Sequence, residues 1–226
     1  TAVPTGTVNT AEQPESKTEI ANGESALKID AGKYKANAGD TIKVKIKVTD
    51  TKDGFNAINS WLDIDTDVFD IVSMEAGDTD DEDNGDSLAY SNVTINKFHK
   101  DNAAENITTI LCLYSDTSNA DEDMVLATIE LKVKTGTKDG YYALPFDAKG
   151  DGGAMANRIV TKDGDRVASV INPTSLGAVV KVGDPSAATD PTAVPTAVPT
   201  GTVNTSEQPE SKTEVANGES ALKIDL

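Results

Sequence analysis

The sequence predicts an all-β domain, a β-sandwich of about nine short strands and of Ig-like or jelly-roll type. The clearest strand is 41–48, where apolar residues alternate with three lysines, as in a strand with one buried and one solvated face. Clusters of Gly, Asn and Asp separate this strand from other short apolar runs. No segment of the domain shows a long 3.6-residue period, so long helices are not expected.

The predicted strands follow one another at short intervals. In chain order they lie at 26–30, 41–48, 57–65, 68–73, 88–96, 107–114, 124–134, 141–147 and 176–182, with a short additional strand at 166–171. The turns between them are predicted at 50–54, 77–86, 99–106, 116–123, 135–140 and 149–153. This succession of strands and turns is typical of a sandwich rather than of an alternating α/β fold.

The first thirty residues recur almost unchanged near the C-terminal end. Residues 1–30 and 196–225 differ only where Ala11 is replaced by Ser206 and Ile20 by Val215. The period has the length of a domain plus a linker, which indicates one unit of a tandem array of near-identical modules. Linked modules raise the effective concentration of their binding sites, so the repeat favours a binding role.

The repeat divides the chain into four parts. These are a Pro/Thr linker at 1–24, a β-sandwich domain at 25–183, a second linker at 184–220 and the start of the next module at 221–226. The repeated Ala-Val-Pro-Thr unit favours an extended, polyproline-like linker. Because 221–225 duplicates the first strand, it could add to a sheet edge of a neighbouring chain, which suggests strand exchange.

Charge and composition exclude several classes of partner. The net charge is −18, from 38 acidic and 20 basic residues, so the chain repels nucleic acid and anionic lipid. No apolar run approaches the ~20 residues that span a bilayer, and membrane insertion is not expected. Cys112 is the only cysteine, which excludes an intrachain disulfide.

The strand predicted at 57–65 places the only tryptophan opposite its core residues. Ile58, Leu62 and Ile64 share one parity and are expected to be buried. Trp61 has the opposite parity, together with Ala57, Asn59 and Asp63. Alternation leaves two placements open for Trp61: the outer face, where tryptophan is frequent at binding sites, or the core, as is common for a lone tryptophan in a sandwich.

The strand predicted at 107–114 is apolar on both faces. Leu111 and Leu113 share one parity, whereas Ile110, Cys112 and Tyr114 share the other. One of these faces must be the core. The other lies under a loop or forms a surface that a partner covers.

Catalytic and metal sites have little support. The acidic loop 77–86 lacks the ligand spacing of an EF-hand, so a solvated loop is favoured over a calcium site of another type. His99 is the only histidine and is expected in a polar loop, while Cys112 is expected to be a buried, inert thiol. No nucleophile motif or metal-ligand cluster is present, and an enzyme is not expected.

Four stretches resemble the cohesin family, whose modules are repeated in bacterial scaffoldins. Residues 26–48 resemble the opening strands and their Ala-Gly-Asp turn, and 54–78 resemble the Gly-rich turn and the third strand. Residues 107–117 resemble the hydrophobic sixth strand with its acidic turn, and 125–147 resemble the seventh and eighth strands. The resemblance covers most of 26–182 and implies a nine-stranded jelly-roll sandwich.

The resemblance also implies a binding face for a dockerin, formed by the third, fifth, sixth and eighth strands. The residues that it places there are Ala57, Asn59, Trp61, Asp63, Tyr90, Asn92, Ile110, Cys112, Tyr114 and Ser115, with 153–157 as a further region. Two features depart from the family pattern. Ala57 and Asn59 stand where many relatives have an Asn-x-Asp pair, and Ser115 stands where they often have Glu. The polar contacts to the partner are therefore expected to differ, and the dockerin type stays open.

The implied function is that of a non-catalytic receptor module in a secreted or cell-surface scaffoldin. It would recruit dockerin-bearing enzymes or adaptors for plant polysaccharide degradation, with no cofactor of its own because calcium is expected on the dockerin. Two other classes stay open. A carbohydrate-binding module would require a planar row of exposed aromatic residues, and an adhesin-type spacer would have no functional apolar face.

Overall fold

A computed structural model describes residues 12–17, 24–80, 92–99, 103–146 and 154–185. The chain divides into two compact units, 1–189 and 190–226, and the second lies outside the described residues. The described strands are β1 (Glu15–Lys17), β2 (Glu24–Asp30), β3 (Lys33–Ala36), β4 (Thr41–Thr49), β5 (Phe55–Asp65), β6 (Phe69–Ala76), β7 (Val93–Phe98), β8 (Ile107–Ala120), β9 (Met124–Val133), β10 (Gly140–Leu144), β11 (Ala154–Lys162), β12 (Asp165–Leu176) and β13 (Ala178–Val182). A 3-10 turn, η1 (Thr51–Asp53), precedes β5. The all-β prediction is confirmed.

The described strands are more numerous than the nine expected, because β1, β3 and β11 lie where no strand was predicted. Gly32 has a φ of 81°, which favours glycine, and turns the chain between β2 and β3. The carboxylate of Asp30 supports this turn by accepting the Gly32 N–H at 2.7 Å. Strand β11 starts where only a region was expected, and its hairpin with β12 extends well beyond 166–171.

Most strands follow one hydrogen-bonded path, β6-β9-β4-β2-β12-β11-β5-β8-β7, with β1 added to β12. A smaller sheet has the order β10-β13-β3. Side chains from both halves of the long path meet in one core cluster, so the two halves pack face to face as a sandwich. This core contains, among others, Val44, Ile46 and Val48 of β4, Ile129 and Leu131 of β9, and Ile58, Leu62 and Ile64 of β5.

Strand β4 shows the alternation that the sequence predicts. Val44, Ile46 and Val48 are fully buried, and the intervening lysines lie on the opposite side. We call Lys43, Lys45 and Lys47 the lysine face. The start of the acidic loop lies against it: Lys45 Nζ is 2.7 Å from Asp78 Oδ1 and 2.8 Å from Asp80 Oδ2. The rest of that loop, 81–86, lies outside the described residues.

Candidate protein-interaction face

Strand β5 separates its side chains cleanly between the core and the opposite side of the sheet. Ile58, Leu62 and Ile64 have no exposed surface. The side chains of opposite parity are partly exposed, and Trp61 does not belong to the core cluster. Of the two placements that alternation leaves open, Trp61 therefore takes the outer one. We call the outward sides of β11, β5, β8 and β7 the outer face.

Strand β8 corrects the prediction for its own residues. Ile110, Cys112 and Tyr114, expected on the binding face, are only 0%, 0% and 3% exposed and belong to the core. The register explains why, because residues directly opposite each other in a sheet lie on the same side. Ile110 is opposite Leu62 and Tyr114 is opposite Ile58, both of which are buried.

The outward residues of β8 are those of the other parity, Leu111, Leu113 and Ser115. Leu111 is directly opposite Trp61, and Leu113 is directly opposite Asn59. Alternation within 107–114 could not choose between two apolar parities, but pairing with β5 decides it. Ser115, opposite Ala57, was the one predicted β8 residue with the outward parity.

Burial also fixes the chemistry of two β8 side chains. Loss of hydration raises the pKa of the Cys112 thiol to about 12, so this thiol stays protonated and unreactive near neutral pH. Burial likewise raises the pKa of Tyr114, with a smaller contribution from the Asp116 charge. The Tyr114 ring packs against Phe55 with ring centroids 5.4 Å apart, which anchors it in the core.

The middle of the outer face is apolar. The register places Met155 of β11 and Leu113 of β8 on either side of Asn59, and Trp61 is two residues along β5 from Asn59. Leu111 is opposite Trp61. We call Trp61, Leu111, Leu113 and Met155 the apolar centre. All four side chains are partly exposed, so the centre is open to a partner but is supported by its neighbours.

Polar side chains surround the apolar centre. On β7, Thr94 is opposite Leu113 and Asn96 is opposite Leu111. On β5, Asp63 accepts a hydrogen bond from the Thr109 hydroxyl at 2.5 Å. An apolar middle with a polar margin is the usual anatomy of a protein-binding surface. Thr94 and Asn96 were missed from the sequence, and the pairing of β7 with β8 is the observation that finds them.

Asn92, predicted on the binding face, has a different role. Asn92 Nδ2 donates to Asp116 Oδ2 at 2.9 Å, beyond the end of the apolar run of β8. Hydrogen bonds from the Ser118 and Thr117 backbone N–H groups lower the pKa of Asp116 and hold it ionised. Asn92 therefore supports the margin of the face. Tyr90 lies outside the described residues.

The β11–β12 hairpin extends the outer face beyond the N-terminal end of β5. Only 154–157 pair with β5, but the Asn119 side chain continues the ladder: its Oδ1 accepts the Ile159 N–H at 2.7 Å and its Nδ2 donates to the Ile159 carbonyl at 2.8 Å. Arg166 also donates to the Thr117 carbonyl at 2.6 Å. These contacts join the end of β8 to the hairpin, a role that sequence patterns do not reveal.

Two features were looked for by their geometry, a metal-ligand cluster and a membrane-spanning helix. No group of three or more His, Cys, Asp or Glu among the described residues could hold a metal ion. His99, expected in a loop, has Nδ1 2.8 Å from the Ile107 carbonyl oxygen just past β7. No helix in the part of the chain that the structure describes is both long enough and apolar enough to cross a membrane.

Comparisons with known proteins identify the family. A family model described as "Cohesin domain" matches residues 27–165, and no curated protein matches the chain. Among solved structures, the seventh ScaB type I cohesin of Pseudobacteroides cellulosolvens is similar, with 22% identity, a TM-score of 0.51 and coverage of 70% of this chain and 93% of that one.

Two further structures are similar at lower scores. A chain of the Coh-OlpA-Doc918 complex from Clostridium thermocellum has 18% identity, a TM-score of 0.48 and coverage of 70% and 100%. The third cohesin ScaC of Acetivibrio cellulolyticus, in complex with the ScaB dockerin, has 20% identity, a TM-score of 0.49 and coverage of 70% and 99%. The family match covers more than half of the chain, including all of β5, β7, β8 and β11. The chain therefore belongs to the cohesin family, whose domains are non-catalytic protein–protein interaction modules.

Proposed function

We propose that this module binds a dockerin through its outer face. The observation that carries the proposal is the apolar centre, which lies partly exposed across β11, β5 and β8. A large aromatic residue among aliphatic neighbours, surrounded by polar groups, is the composition of an interface that a protein partner covers. Membership of a family of interaction modules supports a protein as that partner.

Asn59 determines which chemical group the partner must present at the middle of the proposed interface. Its side chain lies between those of Met155 and Leu113 and two residues from Trp61, so a partner that covers the apolar centre also covers this amide. A covered amide without a hydrogen-bond partner is costly. The dockerin is therefore expected to present a polar group to Asn59 and apolar side chains to Trp61 and Leu113.

The wider setting is part of the same proposal. The near-identical repeat and the Pro/Thr linkers support a scaffoldin with several such modules, secreted or on the cell surface. Each module would recruit one dockerin-bearing enzyme or adaptor for polysaccharide degradation. Calcium would be held by the dockerin, and the module itself would bind no cofactor.

The direct test is a calorimetric titration of the full chain with a panel of dockerins, in calcium and in EDTA. We expect calcium-dependent, one-to-one binding to at least one of them. The absence of binding heat with every dockerin, together with heat on adding cellulose or starch oligosaccharides, would contradict the proposal and favour a carbohydrate-binding module.

The Trp61→Ala variant tests the face itself. Removal of this central aromatic side chain should weaken dockerin binding by at least about tenfold, because central aromatic residues dominate binding energies. The thermal melting curve should stay close to that of the wild type, since Trp61 is outside the core cluster. Loss of the folded state, or unchanged affinity in a folded variant, would remove Trp61 from the proposed interface.

A further inference from the structure

A short strand inside the predicted linker pairs with the domain. β1 (Glu15–Lys17) runs antiparallel to β12, with Glu15 opposite Leu176 and Lys17 opposite Thr174. Within the described ranges its only strand partner is β12, so it forms an edge. A three-residue edge strand can leave a sheet without opening the core, and its place on β12 is then a site that another strand can fill.

The contact just before β1 depends on a Gln-Pro pair. Continuing the register places Pro14 opposite Gly177, and the Gly177 N–H donates to the Pro14 carbonyl at 2.8 Å. A hydrogen-bonded antiparallel pair normally forms two such bonds, but proline has no N–H to donate in return. The Gln13 side chain replaces it: Nε2 donates to the Gly177 carbonyl at 3.0 Å and to Asp30 Oδ1 at 2.9 Å.

Gly177 leaves room for the proline ring to lie close to the chain. A Cβ atom at position 177 would stand 2.5 Å from the Leu144 carbonyl oxygen and 2.7 Å from Pro14 Cγ. Only glycine therefore lets the proline ring approach the chain at this point. Asp30 also belongs to this site. Its carboxylate oxygen that accepts from the Gln13 side chain also accepts from the Gly32 N–H, which fixes its position.

The docked segment occurs twice in the chain. Residues 12–17 and 207–212 have the same sequence, Glu-Gln-Pro-Glu-Ser-Lys. We propose that the β12 edge around Gly177 is a binding site for this peptide, and that 207–212 of a second copy of the chain occupies it in exchange with the chain's own 12–17. Identical segments make identical contacts, and the chain's own segment is favoured by its short tether. Occupation by a second copy therefore increases with protein concentration.

This site differs from the strand exchange that the duplicated first strand suggests. The strand duplicated at 221–225 is β2, which pairs with β4 on one side and with β12 on the other. Its Leu27 and Ile29 are no more than 1% exposed, so removing it would open the core. β1 contributes an edge and no described core residue, and it is the element that can be exchanged.

Three full-chain variants test the proposal. The first-copy variant carries Gln13→Ala, which removes the donor that replaces the missing proline N–H, the second-copy variant carries Gln208→Ala, and the double-copy variant carries both. Hydrogen–deuterium exchange of the Gly177 amide reports occupation of the site, because this N–H donates to Pro14. Sedimentation equilibrium at low and high concentration reports association from the 23.6 kDa monomer.

In the first-copy variant we expect Gly177 to exchange roughly tenfold faster at low concentration, and to regain protection at high concentration as dimers form. The double-copy variant should stay monomeric and unprotected. A synthetic peptide of residues 205–214 should restore its protection, whereas the same peptide with alanine at 208 should not. The second-copy variant should match the wild type at low concentration.

Three results would overturn the proposal. The first is identical hydrogen exchange and mass in the first-copy and double-copy variants at every concentration. The second is full Gly177 protection in the double-copy variant, because the glutamine side chain would then not hold the segment. The third is restored protection in a first-copy variant that stays monomeric, because exchange between chains would then be excluded. None of these results depends on dockerin binding.

Discussion

The two halves of the long sheet path contribute alike to the core but differ on their outward sides. Around β4 the outward residues are lysines, and the described acidic loop residues Asp78 and Asp80 neutralise two of them within the chain. Around β5 and β8 the outward residues form the apolar centre. Lysines that are paired with carboxylates of the same chain and hydrated by water gain little from a partner. A partly exposed apolar face, in contrast, gains free energy when a partner covers it. The difference indicates which side of the sandwich binds.

The largest effect is expected within β8, where buried core residues alternate with residues of the outer face. Ile110→Ala should destabilise the domain by about 2–5 kcal/mol, because it empties part of a fully buried site. The folded fraction should keep its dockerin affinity. Chemical denaturation followed by calorimetry of the folded protein checks both parts. An Ile110→Ala protein with normal stability and weak dockerin binding would show that Ile110 belongs to the outer face, which would contradict the register.

Leu113→Asp tests the neighbouring position with the opposite result. A charge in the apolar centre should weaken dockerin binding by about a hundredfold, which corresponds to about 2.8 kcal/mol, while the protein stays folded. The matched control is Val72→Asp on β6, where the valine is 55% exposed on the other half of the path. Equal losses of affinity in the two variants, measured by calorimetry, would show that the two halves do not differ as binding surfaces.

The hairpin that extends the outer face should respond to Asn119→Ala. Losing both hydrogen bonds to Ile159 should cost about 1 kcal/mol locally and speed hydrogen exchange of the Ile159 amide several-fold. Asn119→Asp is the control, because it keeps an acceptor for the Ile159 N–H but loses the donor to its carbonyl. Unchanged Ile159 exchange in both variants would mean that Asn119 does not hold the hairpin.

The smallest effect is expected on the lysine face. Hydrogen bonds from Lys43 and Lys45 lower the pKa of Asp80 from its ordinary 3.8 to about 2. A lowered carboxyl pKa stabilises the fold above about pH 4, and this contribution is lost as the pH falls towards 2. Melting temperatures from pH 5 to 2 should therefore fall slightly more steeply in the wild type than in Lys43→Ala/Lys45→Ala. High salt should reduce the difference, since the pairs are partly exposed. Superimposable pH profiles of the two proteins would show that the pairs of Asp80 with the lysines do not contribute to stability.

Sequence reasoning succeeds where polar and apolar residues alternate. In β4 the lysines show which parity faces outward, whereas in β5 the large apolar Trp61 among Asn59 and Asp63 left its placement to the structure. The same reasoning fails in β8 because both of its parities are apolar. The resemblance to the cohesin family placed Ile110, Cys112 and Tyr114 of β8 on the outward side, but the structure buries them, since family knowledge identifies strands without fixing the register of this one.

The amino-acid sequence by itself determined the all-β class, the buried side of β4 and the family, because each depends on residue order and local polarity. Only the tertiary structure decided that Leu111 and Leu113 face outward, because hydrogen-bonded pairing with β5 sets the side of every β8 residue. It also decided that a polar Gln-Pro segment of the predicted linker joins the sheet. That contact requires Gly177 and Asp30, which are distant in the chain and are brought to Pro14 and Gln13 only by the fold.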